Sequence, residues 1–300
     1  MNILVIGTIY IDIKGHPFDK YIADGRNPGY IEYVHGGVGR NIAEDAANIG
    51  AACTFLSAAD TGGTGDDVIM HLNDTGINTK YITRGENCCG TWLAVFNEKG
   101  DVISSISGRP DLSSLPEILD AEHEQIFKNI DAVITELDIP EAALSRVFRY
   151  AKEYGIKVYC PVATMASALG LTDYLKQAEL FICNRQEVGM LFDFDSESIS
   201  IEELKDTLIR KMPASGLKNL VVTASENGAI YLGSSGECGI CPAIPTNVID
   251  TTGAGDSFCA GLVIALTRGS TLKEACEFAS KISSSVISGI ENVYTGIRLI

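Results

Sequence analysis

Short, unbroken apolar runs, each set off from the next by a stretch of helical character, most restrict what this chain can fold into. Such runs occupy 3–6, 132–135, 157–160, 180–183 and 220–223, with a further strand expected at 54–58. A strand with one wet face alternates apolar and polar residues, so strands that are apolar throughout are buried on both faces. Helical periodicity is expected over 39–49, 68–74, 142–154 and 201–211. Thr271-x-x-Glu274 is a capping box that opens a last helix, with Leu272, Ala275, Cys276, Ala279, Ile282 and Val286 along its apolar face. Strands alternating with helices imply an α/β fold with a largely parallel sheet. Two stretches break the alternation. Residues 14–35 are rich in Gly, Pro, Tyr and turn residues, and 91–107 reads as two strands around a hairpin-like turn at 97–101. With no linker or repeat in 300 residues, 46% of them hydrophobic, one globular domain is expected.

Chemistry concentrates at Asp250-Thr251-Thr252-Gly253-Ala254-Gly255-Asp256. Phe258, Leu262, Ala265 and Leu266 then recur at helical spacing, Arg268 falls in the last turn and Gly269 just past it. The glycine turn is therefore expected at a helix N-terminus, where unpaired amides and the helix dipole attract anions. Two roles are open to Asp256. It can accept the proton of a hydroxyl attacking a phosphoryl group, or it can simply cap the helix. A second glycine-rich segment, Gly36-Gly37-Val38-Gly39-Arg40-Asn41-Ile42-Ala43, lies in the first fifth of the chain.

The formal net charge of −16 argues against nucleic-acid or anionic-membrane partners. No apolar run approaches the roughly 20 residues a membrane helix needs. Nine cysteines, an odd number, behind a start with no basic n-region imply reduced thiols and a cytoplasmic location. Cys238 and Cys241 have no second pair at matching spacing and read as small residues in a strand–turn segment. Gly7-Thr8-Ile9-Tyr10 lacks the Gly-x-Gly-x-x-Gly of a dinucleotide-binding strand, which removes a Rossmann dehydrogenase.

The two glycine segments, in this order and spacing across most of the chain, resemble those of the ribokinase-like (PfkB) carbohydrate and nucleoside kinases. The resemblance implies a three-layer sandwich around a largely parallel sheet, with a small β lid formed by about 13–35 and 91–107. It implies ATP and Mg²⁺ as cofactors, a small nucleoside or sugar as substrate, and a homodimer through the lid. Asp256 would be the catalytic base, with Gly253, Ala254 and Gly255 as the anion hole. Asp12, Gly36, Gly37 and Asn41 would bind the substrate's hydroxyls. Asn184-Arg185-Gln186-Glu187 matches the family's Asn-x-x-Glu, with Glu187 and Asn184 ordering Mg²⁺, and Thr223 and Gly228 match nucleotide contacts. Asp250 and Thr252 match positions that help hold a monovalent cation in some members, although Glu291-Asn292 replaces small residues there and leaves K⁺ dependence open. Cys160 stands before Pro161 where relatives carry Asp, and Val38 replaces a sugar-reading Lys. Within the family, Asn27-Pro28-Gly29 and the Val-Gly-Arg-Asn run resemble the pseudouridine-kinase branch, with Asn27 and Arg40 as readers of base or ribose. Another sugar kinase, or a non-catalytic sensor on the same fold, are the alternatives. A sensor has little need of both Asp256 and Glu187.

Overall fold

The computed structural model describes residues 1–163 and 165–300, without the side chains of 166 and 167. The chain opens with β1 (Asn2–Ile6), then lays down two strands of a separate small sheet, β2 (Tyr10–Pro17) and β3 (Gly29–Gly36). Helix α1 (Val38–Ile49), β4 (Ala52–Asp60), α2 (Gly63–Asp74) and β5 (Ile82–Gly85) return it to the main sheet, and β6 (Gly90–Phe96) and β7 (Val102–Gly108) complete the small one. There follow α3 (Leu115–Phe127), β8 (Ala132–Thr135), α4 (Glu141–Tyr154), β9 (Lys157–Pro161), α5 (Met165–Leu169), α6 (Thr172–Gln177) and β10 (Leu180–Asn184). The last third comprises α7 (Arg185–Phe192), α8 (Ile201–Ser215), β11 (Asn219–Thr223), β12 (Ala229–Gly233), β13 (Cys238–Cys241), α9 (Ala254–Thr267) and α10 (Leu272–Ile287).

The main sheet runs β13-β12-β11-β10-β9-β8-β1-β4-β5, parallel except for the β12 and β13 edge. Its apolar strands feed two cores. Ile3 and Val5 of β1 pack on one face with α1, α9 and α10, while Leu4 and Ile6 pack on the other with α3 and α4. That two-sided burial, repeated at β10 by Leu180 and Ile182 against Phe181 and Cys183, makes the three layers. The capping box at Thr271 and Glu274 is present in both directions. Among the described residues no helix is long and apolar enough to cross a membrane.

Three features differ from the sequence expectation. The small sheet has wider bounds than the resemblance implied: β2 and β3 pair antiparallel, β2 pairs parallel with β6, and β6 pairs antiparallel with β7. The small sheet therefore spans 10–36 and 90–108, and Asp12 lies inside it. Helix α9 is not amphipathic, because Ser257 to Ala265 are all buried between the sheet, α1 and α10. Helix α8 runs past 211 to Ser215 with Pro213 inside it, in its last turn.

Candidate active site

In open α/β sheets, ligands sit outside the carboxyl ends of the strands, where the strand order reverses. Here that point is β1, from which the chain goes first to β4 and later back to β8. Thr8 follows β1 and Glu136 follows β8, and both line a cleft with Asn41 and Asp256. The small sheet closes the opposite wall. Asp12 is in register with Trp92, and Trp92 with Ser107, so their side chains share one face, with Tyr10 two residues along. All four line the same cleft.

Gly253 caps α9 in the left-handed region at φ 77°, and a Cβ there would run into the Asn292 carbonyl. The turn is held from several sides. Asp250 Oδ1 accepts from the Thr252 amide (2.9 Å) and hydroxyl (2.8 Å), and the Ala254 carbonyl accepts from Ser257 and Ser283 (3.1 and 3.0 Å). The first amides of a helix have no intrahelical partner, so those of Gly255 and Asp256 are the natural donors to an anion in front of α9. A Cβ on Gly255 would meet no protein atom within 4 Å, so the space before it is open.

Asp256 is not the cap. Gly253 holds that position, and the Asp256 carboxylate, in the first turn, accepts from Asn41 Nδ2 at 2.7 Å through Oδ2. Burial raises its pKa from 3.8 to about 6, against the bond from Asn41 and the charge of Arg40, with Asp12 adding to the rise. A carboxyl tuned near 6 is basic enough to take a hydroxyl proton at neutral pH and still ionised there. Asn41 Oδ1 is buried with no hydrogen-bond partner among the described residues, an acceptor suited to a substrate hydroxyl. Asp12 is raised by burial, against Lys14 and Arg40, and its carboxylate lies so close to Gly36 that a Cβ there would come within 2.7 Å of both oxygens.

Glu136 had no signal assigned to it in the sequence, and it organises the centre of the cleft. Its Oε1 accepts from the amides of Thr8 (2.8 Å) and Gly39 (2.5 Å), and both oxygens accept from the Thr8 hydroxyl at 3.1 Å. Burial lifts it to about 7, against those bonds from Thr8 and Gly39. Its position as the first polar residue after an apolar strand, the same as that of Asn184, is the clue available in the sequence. Asp138, Arg109, Tyr10, Ser107 and Trp92 also line the cleft.

Farther along the same edge of the main sheet, Asn184 and Thr223 are register partners at the ends of adjacent parallel strands. Asn184 and Glu187 form a capping box on α7: Asn184 Oδ1 accepts from the Glu187 amide (2.8 Å) and Glu187 Oε2 from the Asn184 amide (2.7 Å). Burial raises Glu187, against the Asn184 amide and with a push from Asp138. Among the described residues no three His, Cys, Asp or Glu side chains are grouped to hold a metal. A single carboxylate fits Mg²⁺, which keeps several waters and takes the rest of its ligands from phosphates. Gly228, at φ 87° and packed on the Cys241 carbonyl, turns β11 into the antiparallel β12.

Two proposed substrate readers are not brought into the cleft. Asn27 uses its side chain on Ile22 and Gly25, closing the turn between β2 and β3. Arg40 is buried, and its guanidinium points behind α1 to Glu44, His35 and Asn292. Each has its polar atoms engaged by nearby groups of the chain. Cys160 lies in the core between β9 and the helices packed on it, and its thiol is pushed up by burial, so it contributes no site ligand. Cys238 is exposed and Cys241 buried on edge strand β13.

An open, mostly parallel sheet, a glycine turn at a helix start and a tuned carboxylate facing a cleft define a phosphotransferase that acts on a hydroxyl acceptor. Residues 1–292 match the pfkB family carbohydrate kinase model, and the chain belongs to that family. It is 32% identical over 299 residues to guanosine-inosine kinase of Exiguobacterium acetylicum, covering 97% of this chain and 96% of that one. It is 28% identical over 292 residues to pseudouridine kinase of Escherichia coli, covering 95% and 90%. So the pseudouridine kinase, though similar, is matched less well than the guanosine-inosine enzyme. Ribokinase from Giardia lamblia superposes with a TM-score of 0.86 at 19% identity, covering 99% of this chain and 96% of that one, which identifies the fold as ribokinase-like.

Proposed function

We propose that this kinase transfers the γ-phosphoryl group of ATP to the 5′-hydroxyl of a ribonucleoside. The observation that carries the reading is the run of groups across one cleft: Asp12 and the unpartnered Asn41 Oδ1 for ribose hydroxyls, Tyr10 and Trp92 beyond them for a flat base, and Asp256 at the phosphate end. Asp256 removes the hydroxyl proton as the new O–P bond forms and the bond to the ADP oxygen breaks. The Gly255 and Asp256 amides hold the charge spread over the moving phosphoryl oxygens. Mg²⁺, when bound, offsets charge on the β- and γ-phosphates, and Glu187 with Asn184 would orient its water shell. Asp250 and Thr252 are the candidates for a monovalent cation beside the turn.

Pseudouridine is the acceptor favoured by the Asn27-Pro28-Gly29 segment. The higher identity to guanosine-inosine kinase favours a second reading, guanosine or inosine, with the same 5′ chemistry. An ADP-release assay over pseudouridine, uridine, guanosine, inosine, ribose and fructose 6-phosphate separates them. We expect the best nucleoside to exceed ribose by at least ~10²-fold in kcat/KM, since lost base contacts weaken transition-state binding. A free or phosphorylated sugar ranking first would remove the nucleoside reading and leave the family intact. In the same assay, Glu187→Gln should raise the Mg²⁺ needed for half-maximal rate by about tenfold, with nucleoside KM little changed. An unchanged Mg²⁺ requirement would dismiss the metal role.

The face of the small sheet turned away from the cleft carries Tyr33, Ile13, Leu93 and Ile106 in register, with Tyr33 and Ile106 about 70% exposed. An apolar row of this kind suits contact with a second copy of the chain. Sedimentation should give a dimer that Ile106→Lys dissociates. A monomeric wild type would end that reading.

A further inference from the structure

Arg40 sits in the first turn of α1 and is 2% exposed. Both facts count against it, since a cation at a helix N-terminus opposes the dipole and a buried charge loses its hydration. Its guanidinium is nevertheless bonded on every side. Nη1 donates to Glu44 Oε2 at 2.8 Å, Nη2 to the His35 carbonyl and to Asn292 Oδ1 (3.4 Å), and Nε lies 3.4 Å from the Gly36 carbonyl. Asn292 Nδ2 also donates to the His35 carbonyl at 2.9 Å, and it is the Asn292 backbone carbonyl that packs against Gly253. One side chain thus joins the end of β3, which leads into Gly36 and Gly37, to the C-terminal segment that backs the glycine turn of α9. The two halves of the site lie more than 200 residues apart in the chain and meet through this group.

We infer that Arg40 is a positioning residue, holding the sugar-side glycines and the phosphate-side turn in one register and supplying fixed positive charge behind the cleft. The carboxylates of Asp12, Asp45 and Asp256 all feel that charge. Asp45, on α1 four residues beyond Asn41, is wholly buried and accepts from the Tyr294 amide at 2.6 Å, a second tie from α1 to the C-terminal segment. On the outer side, Glu44 Oε1 is 2.9 Å from His71 Nε2, and His35 Nε2 is 2.9 Å from Asp67 Oδ2. The inference about charge rests on Asp256 being the base; the inference about register does not.

The test compares Arg40→Met/Glu44→Gln, which removes both buried charges together so that no carboxylate is stranded, with Arg40→Lys and Asn292→Ala. Each is assayed for kcat, KM and pH dependence with the best acceptor from the panel. For the double variant we expect kcat/KM to fall at least ~10-fold, with the acid limb of kcat moved to higher pH. Arg40→Lys should return the limb towards wild type without restoring the rate, because it keeps the charge and loses the planar fork. Asn292→Ala should lower kcat several-fold without moving the limb, and it covers the case in which the double variant does not fold. Wild-type constants in the double variant or in Asn292→Ala would overturn the register role, and an unmoved limb in a folded double variant would overturn the charge role. Asp256→Asn run in parallel keeps the two readings apart. If it retains the wild-type rate, the base assignment fails by itself, while the losses at Arg40 and Asn292 still report on register.

Discussion

Asp256→Asn should fold, bind ATP with near wild-type affinity and turn over about 10²–10⁴-fold more slowly, the range for loss of a general base. The isosteric amide can still meet Asn41 by offering its oxygen to Nδ2, so the contact seen at 2.7 Å survives. The same substitution should stabilise the protein. The carboxyl is raised from 3.8 to about 6 in the folded state. Between those values the folded protein holds a proton that the unfolded chain has released, so stability falls as pH rises through that window. Asn carries no such penalty, and at pH 8 the variant should be more stable than wild type by ~1–3 kcal/mol, with little gain at pH 4. Thermal melts at the two pH values check this alongside the rate, and wild-type turnover would rule out the base. The wild-type rate should show an acid limb near pH 6, rising with pH as Asp256 ionises.

Gly253→Ala should cost about 10²–10³-fold in kcat, the scale for misplacing one donor of an anion hole. Two separate strains meet at this position. An L-residue at φ 77° costs about 1–2 kcal/mol, and the new methyl would collide with the Asn292 carbonyl, which cannot yield without dragging the C-terminal segment with it. The turn must shift, and the Gly255 and Asp256 amides shift with it. Nucleoside KM should change less than kcat, because Asp12 and Asn41 belong to other elements. A kcat within about threefold of wild type would show that the turn does not stabilise the transferred group. Gly255→Ala is the informative companion. Its Cβ meets no protein atom, so a loss there reports a clash with the bound phosphate instead of a disturbed fold.

Much of the architecture was legible before any coordinates. Strands apolar along their whole length can be accommodated only between two layers, and 132–135 was placed to the residue as β8. The glycine turn at a helix start and the last capping box were equally plain, because each depends on local backbone chemistry. Residues 14–35 were legible as strands only through the family resemblance. Their strands are rich in Gly, His and Tyr with little alternation, and pairing with β6, distant in sequence, is what makes them a sheet. The all-round burial of α9 was likewise hidden, since periodicity marks which face is most apolar and not how many neighbours a helix has.

At the site, the sequence and its family resemblance by themselves picked out the candidate groups for the chemistry, namely the Gly253 turn, Asp256, Asp12, Asn41 and the Asn184–Glu187 pair. Tertiary structure alone decided which side chains were free to act. Asn27 and Arg40 looked like substrate readers and are each consumed by nearby carbonyls or carboxylates, while Glu136, silent in the sequence, becomes the acceptor that ties Thr8 to Gly39. A polar group's role depends on where its hydrogen bonds go. For long-range partners, that is settled when distant segments pack and not by the residues on either side of it.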